Sequence, residues 1–386
     1  SLTIWLPATY PGAMWRVLLL LGATCAAAYA NQHVVRTFTD PETSSSISLF
    51  DHLVVDRNTG GVYIGAVNRI YQLSPDLEVA QWISTGPVNE SAQCTFDCPA
   101  NFIKKPTDNV NKALVIDYAT SRLITCGSVL QGLCSVRNLN NISHDVREVR
   151  EPVVANNAPS STVAFIAPGP PNPPMTQVMY VGVTFTGNSP YRSEVPAVSS
   201  RSLEDDRLFS IARTAVTTAT RMFVNSFSRE HYPINYIYGF SSEGFSYFLT
   251  TQLRGVDSDT YYSKLIRVCH DDENYYSYTE IPMSCTVEGG GNYGYNLVQA
   301  AFVGKAGAVL AADLGITAHQ DVLFAAFSQS ESMKTNKPSN LSALCVYSLK
   351  KIRQKFTQNI KTCFSGNGSR GLDFISPSHA CIVEAV

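Results

Sequence analysis

No apolar run in this 386-residue chain approaches the roughly 20 residues that a helix needs to cross a bilayer, so the sequence offers no spanning segment. Charge is scarce as well. Only 16% of the residues are charged, and 29 basic residues against 31 acidic ones leave a net charge of -2. Such a balance gives no broad field to hold nucleic acid or an anionic membrane, although it permits local patches. Catalytic motifs are missing. Gly239-Phe-Ser-Ser-Glu-Gly244 has one residue too many for a nucleophile elbow and falls between two strand-like runs, so it reads as a hairpin turn. Gly289-Gly-Gly-Asn-Tyr-Gly294 lacks the Lys and the strand-to-helix setting of a phosphate loop and reads as a flexible connection. His33, His52, His144, His231, His270, His319 and His379 form no pair at a zinc-helix spacing. Asp271, Asp272 and Glu273 are consecutive, without the alternation of a calcium loop, and read as solvated loop charge. No catalytic residue, metal ligand or cofactor is assigned, and the chain does not read as an enzyme.

What is present points to export. Met14, Trp15 and Arg16 precede an apolar run from Val17 to Ala28, and the stretch ends in Ala28-Tyr29-Ala30. A basic start, a short apolar run and a small-x-small ending describe a secretory signal peptide over residues 14–30, cleaved before Asn31. Residues 1–13 precede the plausible initiator Met14 and read as a non-coding or gene-model extension. Ten cysteines, less Cys25 in the signal, leave nine in residues 31–386, and an oxidising export route lets disulfides persist. Four sequons agree with that route, at Asn89, Asn141, Asn340 and Asn367.

The exported part reads as all-β. Short runs rich in branched and aromatic residues recur, among them Gly61 to Leu73, Leu123 to Cys126, Val178 to Thr184, Phe245 to Gln252 and Val322 to Phe327. No long amphipathic helix pattern dominates. An Asp-containing turn followed by a strand appears at Asp56-Arg-Asn-Thr-Gly and again at Asp117-Tyr-Ala-Thr-Ser. Loose repetition of this kind suits four-stranded propeller blades, and a sandwich array would give similar strands. Pro168, Pro170, Pro171, Pro173 and Pro174 lie between strand-like runs and read as a stiffened turn within one continuous domain. Cys94 and Cys98, and Cys126 and Cys134, are compact local pairs, whereas Cys269, Cys285, Cys345, Cys363 and Cys381 are an odd set. A zinc site at Cys94 and Cys98 would need a second close pair, which the spacing lacks.

The run NVNKALVIDYATSRLITCGSVLQGLC, residues 109–134, resembles the second blade of the plexin sema domain. GGVYIGAVNRIYQLSPDL (60–77) resembles the first blade, YRSEVPAVSSR (191–201) the third, INYIYGFSSEGFSYFLT (234–250) with SKLIRVCHDDENYYSYTEIPMSC (263–285) the fourth, and QDVLFAAFS (320–328) with SALCVYSLKKI (342–352) the fifth. The likeness covers about residues 31–386 and is nearest to class A plexins. It implies a seven-bladed β-propeller of which this sequence supplies about five blades, an incomplete ring whose remaining blades would follow Val386.

By the same resemblance, Cys94 pairs with Cys98, Cys126 with Cys134, Cys285 with Cys345, and Cys363 with Cys381, while Cys269 reaches a cysteine beyond Val386. The resemblance also implies a receptor ectodomain on the extracellular face of the plasma membrane, attached through a region not in this sequence. Semaphorins are the implied ligands, with neuropilin as a co-receptor and self-association through the ectodomain as further expectations, and axon guidance and cell migration as the processes served. A secreted decoy fragment and a propeller-fold semaphorin ligand are the alternatives. Ligand contacts are expected at Arg192, Arg201, Asp205, Asp206 and Arg207, which lie in or beside the third-to-fourth blade region and carry both signs of charge. N-terminal sequencing of the secreted product should begin at Asn31, and a product that retains Val17 to Ala28 would contradict the signal-peptide reading.

Overall fold

The computed structural model describes residues 36–39, 49–94, 98–170, 176–185, 193–216, 218–286, 294–366, 368 and 370–376. The first sheet is β1 (Phe50–Val55), β2 (Val62–Ala66), β3 (Arg69–Leu73) and β4 (Val79–Ser84), followed by a small hairpin of β5 (Val88–Glu90) and β6 (Lys105–Thr107). The second sheet is β7 (Asn111–Asp117), β8 (Arg122–Gly127), β9 (Cys134–Asn138) and β10 (Arg147–Val149). The third comprises β11 (Thr162–Gly169), β12 (Thr176–Val183), β13 (Val198–Ser202) and β14 (Arg221–Met222). The fourth is β15 (Asn235–Ser242), β16 (Phe245–Leu253), β17 (Tyr261–Cys269) and β18 (Thr279–Met283). The fifth has β19 (Leu297–Lys305), β20 (Asp321–Ser330) and β21 (Pro338–Ser348), with α1 (Gly307–Leu314) between β19 and β20 and α2 (Leu349–Phe364) after β21.

Each sheet is an antiparallel meander, and the first strands β1, β7, β11, β15 and β19 pack side by side in that order. Five blades therefore stand around one axis, and the propeller, not the sandwich, is the fold. Strand periodicity explains the stacking, because successive side chains leave opposite faces of a sheet. On β12, Met179 and Val181 enter the apolar layer shared with the second sheet, whereas Val178 and Tyr180 enter the layer shared with the fourth. On β16, Phe248 faces the third sheet while Tyr247 and Leu249 face the fifth. A sheet buried on both faces has no polar face to alternate with, and this is why the central runs are continuously apolar.

The repeated Asp turn has a specific chemistry. Asp56 accepts hydrogen bonds from the Asn58 amide at 3.0 Å and the Thr59 hydroxyl at 2.6 Å, and Asp117 does the same with the Ala119 amide at 3.0 Å and the Thr120 hydroxyl at 2.6 Å. The repeat is thus Asp-x-x-Thr, which closes the connection between the first and second strands of the first two sheets. The Thr59 hydroxyl, followed by the Asn58 amide, holds the buried Asp56 carboxyl below the usual carboxylate range. The Gly239 to Gly244 stretch is a hairpin, with Ser242 opposite Phe245 and positive φ at Glu243 and Gly244. Pro168 lies in β11, an edge strand of its sheet, and Pro170 follows one residue after the strand ends, whereas Pro171, Pro173 and Pro174 lie outside the described residues.

Disulfides join Cys94 to Cys98, Cys126 to Cys134 and Cys285 to Cys345. Cys126 and Cys134 are direct cross-strand partners on β8 and β9. Cys363 is disulfide-bonded, while its expected partner Cys381 lies outside the described residues. Cys269, at the end of β17, is a free thiol. The Cys285–Cys345 bridge closes a loop of 60 residues, and replacing both cysteines by Ser is expected to cost about 4 kcal/mol of unfolding free energy. Gly132, at φ 83° between β8 and β9, has room for no Cβ, which would stand 2.1 Å from the Val154 carbonyl oxygen. Gly132→Ala should lower stability by at least about 2 kcal/mol. Denaturant unfolding of the secreted proteins checks both values.

Candidate functional site

Of the residues expected to meet a ligand, Asp205, Asp206 and Arg207 belong to the connection between β13 and β14, whereas Arg201 lies within β13. Residues Asp205–Arg207 form one 3-10 turn, preceded by Glu204 in extended conformation. Glu204, Asp205 and Asp206 are exposed, and Arg207 is half-buried. Arg192 lies outside the described residues.

Asp205 ties this turn to the second sheet. Arg122, which opens β8, reaches Asp205 with Nη1 to Oδ1 at 2.6 Å and Nη2 to Oδ2 at 3.3 Å, a two-pronged geometry. Arg147, which opens β10, donates to the Asp205 carbonyl at 2.6 Å and lies 3.5 Å from Oδ1. The Arg122 hydrogen bond, and then its charge, hold the Asp205 carboxyl below the usual range. Arg207 pairs with Glu204 and donates to the Ala212 carbonyl at 3.1 Å. Asp206 takes no part in either ion pair. On the other flank of the same connection, Arg213 reaches Glu273 at 3.3 Å and so links it to the fourth sheet. This one connection bridges three blades and displays charges of both signs at their common rim.

Arg201 corrects the expectation of a surface contact, because it is 1% exposed within β13. Its guanidinium donates to Glu151 at 2.9 Å, to the Phe209 carbonyl at 3.1 Å, to the Pro152 carbonyl at 3.4 Å and to the Ser199 hydroxyl at 3.0 Å. With its donors engaged inward, Arg201 organises the base of the connection and presents no charge to a partner. Burial without full compensation pulls its pKa down to about 10, a value still well above neutral pH, so the side chain stays cationic. β13 itself, Val-Ser-Ser-Arg-Ser and wholly buried, carries no strand signal in its composition, and only its pairing with β12 and β14 reveals it.

The remaining candidates resolve as scaffold or surface. Asp272 accepts from the Asn274 amide at 2.9 Å and from the Ser277 amide and hydroxyl, each at 2.6 Å, so it closes the turn after Cys269. Among the described residues, no group of three or more His, Cys, Asp or Glu side chains is placed to hold a metal ion. Asn89 and Asn340 are exposed and Asn141 is half-buried, whereas Asn367 lies outside the described residues, as do His33, His379 and residues 289–293 of the glycine-rich stretch. No helix among the described residues is long and apolar enough to cross a membrane. Arg201→Ala should cost about 3 to 5 kcal/mol, because Glu151 and two carbonyls lose a buried donor. Asp206→Lys should leave the melting temperature unchanged, and a thermal melt of the two variants separates the roles.

The Sema domain family model matches residues 298–382. Plexin A3 of Danio rerio is 34% identical over 366 residues, which is 87% of this chain and 19% of that protein. Plexin-A4 of Homo sapiens is 35% identical over 345 residues, 84% of this chain and 18% of that protein. The chain thus spans less than a fifth of the length of these relatives. The solved full extracellular region of plexin A4 superposes with a TM-score of 0.77 at 32% identity, over 88% of this chain and 39% of that one. Drosophila Semaphorin 2a superposes with a TM-score of 0.53 over 84% of this chain and 51% of its own, but at 14% identity shares only the fold. The order of the blades, the sequence identity and the superposition agree that this five-bladed region is a sema domain of the plexin type.

Proposed function

We propose that this chain is the ligand-recognising part of a plexin-type cell-surface receptor that captures semaphorins outside the cell. The observation that carries the reading is the superposition on the plexin A4 extracellular region over 88% of the chain at 32% identity, against 14% for a semaphorin of the same fold. Its mechanism is recognition and clustering: a dimeric semaphorin gathers two receptors, and no bond is made or broken. Axon guidance and cell migration are the processes this would serve. Neuropilin assistance and self-association belong to the same proposal, as does the secretory route, with the signal peptide over residues 14–30, the sema domain over 31–386, and sugars at Asn89, Asn141, Asn340 and Asn367.

The rim between β13 and β14 is the proposed contact, through Asp206 first, with Asp205 and Arg207 beside it and Arg192 in the neighbouring segment. Exposed charges of both signs orient an encounter and raise its on-rate more than its final affinity. Asp205 is engaged with Arg122 and Arg147, so a substitution there also loosens the second blade's hold on the turn. Asp206 is free of that complication. Surface plasmon resonance of the complete ectodomain against a panel of semaphorins should find at least one that binds. Asp206→Lys should then slow association and weaken binding about tenfold, near 1.4 kcal/mol. Absence of binding across the panel would overturn the receptor reading, and unchanged binding by Asp206→Lys would remove the rim from the contact.

A further inference from the structure

A balanced net charge conceals one strongly cationic element. Helix α2, Leu-Lys-Lys-Ile-Arg-Gln-Lys-Phe-Thr-Gln-Asn-Ile-Lys-Thr-Cys-Phe, contains Lys350, Lys351, Arg353, Lys355 and Lys361 and no acidic residue. Two features of this arrangement oppose helix stability. Lys350 and Lys351 stand in the first turn, where the macrodipole favours anions, and Lys351 and Lys355 repel each other at i, i+4. The helix survives because Ser348 caps it, accepting from the Lys351 amide, and because Leu349, Ile352 and Phe356 are buried against the fourth and fifth sheets. Charges held at a cost to the helix need a use outside it.

The nearby acids do not neutralise them. Glu243, from the β15–β16 hairpin, is engaged by Arg353 at 2.7 Å, and Asp321, at the start of β20, by Lys305 at 2.6 Å. Lys350, Lys351, Lys355 and Lys361 are exposed and form no ion pair with the described residues. Along one side of α2 runs an open groove of about 650 Å³, lined on the helix by Thr362 at its end and, along its length, by Lys350, Arg353, Gln354, Thr357, Gln358 and Lys361. These are positions i, i+3, i+4, i+7, i+8 and i+11, a single stripe, and Gln320 and Glu243 form the opposite wall. From Lys350 to Lys361 the stripe runs roughly 16 Å at 1.5 Å per residue.

We propose that α2 and its groove bind a sulfated glycosaminoglycan. A clustered Lys/Arg segment such as residues 350–355 is the sequence form of a heparin-type patch. The chemistry of the groove fits a sulfated sugar: lysine ammonium groups meet sulfates and carboxylates as point charges, while the amides and hydroxyls of Gln354, Gln358 and Thr357 suit the sugar hydroxyls and ester oxygens between them. A lipid surface fits less well, because the apolar stripe of α2 is already spent on packing and leaves no face to enter the acyl boundary. The groove lies between α2, Gln320 and Glu243 of the fourth blade's hairpin, and it shares no residue with the β13–β14 connection. The inference rests on the extracellular reading of the chain but not on semaphorin capture.

The test uses the complete ectodomain, with surface-immobilised heparin, unsulfated hyaluronan and phosphatidylserine vesicles as the probes. Wild-type protein should bind heparin at physiological salt, with affinity falling steeply as salt rises through counterion release, and should bind neither hyaluronan nor the vesicles. Replacing Lys350, Lys351, Lys355 and Lys361 together by Gln should weaken heparin binding at least tenfold. The same change at exposed Lys104, Lys105, Lys334 and Lys337 should leave it unaltered. All eight positions are exposed lysines, so neither variant should lose the folded state, and relief of the Lys351–Lys355 repulsion should raise the melting temperature of the α2 variant slightly. No heparin binding by the wild type, an equal loss in the two variants, or equal capture by hyaluronan or the vesicles would each overturn the proposal.

Discussion

The structure depends on one constraint: a four-stranded sheet of this composition has two apolar faces, and each face must be covered by another sheet. Val178 with Tyr180 and Met179 with Val181 show the requirement within one strand, since each pair fills a different inter-sheet layer. At about 25 cal/mol per Å² of apolar surface removed from water, such layers are the dominant favourable term in the fold. Stacking sheets face to face around an axis satisfies all inner members at once, and the first strands then meet along the centre. On the first and fifth blades, Leu53 is 64% exposed and Phe302 64%, whereas the middle blades keep their aromatic residues Tyr180, Tyr247 and Phe248 covered.

Two-sided burial restricts polar groups, and the chain meets the restriction with closed local networks. Asp56 and Asp117 bind their own turns. Arg201 is enclosed by Glu151, Ser199 and two carbonyls. In the fourth blade the buried Lys264 lies 3.2 Å from Glu280 and 2.9 Å from the Tyr232 hydroxyl, and Glu280 also accepts from Gln252 at 3.1 Å and Tyr278 at 2.7 Å. A buried ion pair breaks even only when its remaining donors and acceptors are engaged, and here both Glu280 oxygens and two of the Lys264 hydrogens are. These networks fix how neighbouring strands align and leave the rims to carry unspent charge.

The rim charge is not uniform. Between the second and fourth blades the β13–β14 connection carries the acids Glu204, Asp205 and Asp206 and the bases Arg207 and Arg213, of which Asp205 and Arg213 reach adjoining blades. On the fifth blade α2 is cationic throughout. Mixed charge on a short turn suits a protein partner that reads sign and position, whereas a one-sign stripe along a helix suits a polymer with a regular negative charge.

Residues 109–134 and their companions carry the resemblance to the plexin sema domain, because hydrophobic content, turn residues and order are written locally. The hairpin at Glu243-Gly244 and the compact pairs Cys94–Cys98 and Cys126–Cys134 were legible for the same reason, whereas Cys285–Cys345, 60 residues apart, followed only from the family resemblance. β13 was not, since Ser199, Ser200, Arg201 and Ser202 form a strand only through backbone pairing with β12 and hydrogen bonds to residues such as Tyr275, distant in sequence. α2 escaped notice because its three buried residues are diluted by five cations. The sequence by itself determined the all-β class, the repeat of blades and the family likeness, which follow from side-chain period and short-range turn chemistry. Only the tertiary structure decided which charges face solvent: it withdrew Arg201, shared Asp205 with Arg122 and Arg147, and left Asp206 and the α2 lysines exposed, because burial and ion pairing are set by contacts between blades that lie tens of residues apart in the chain.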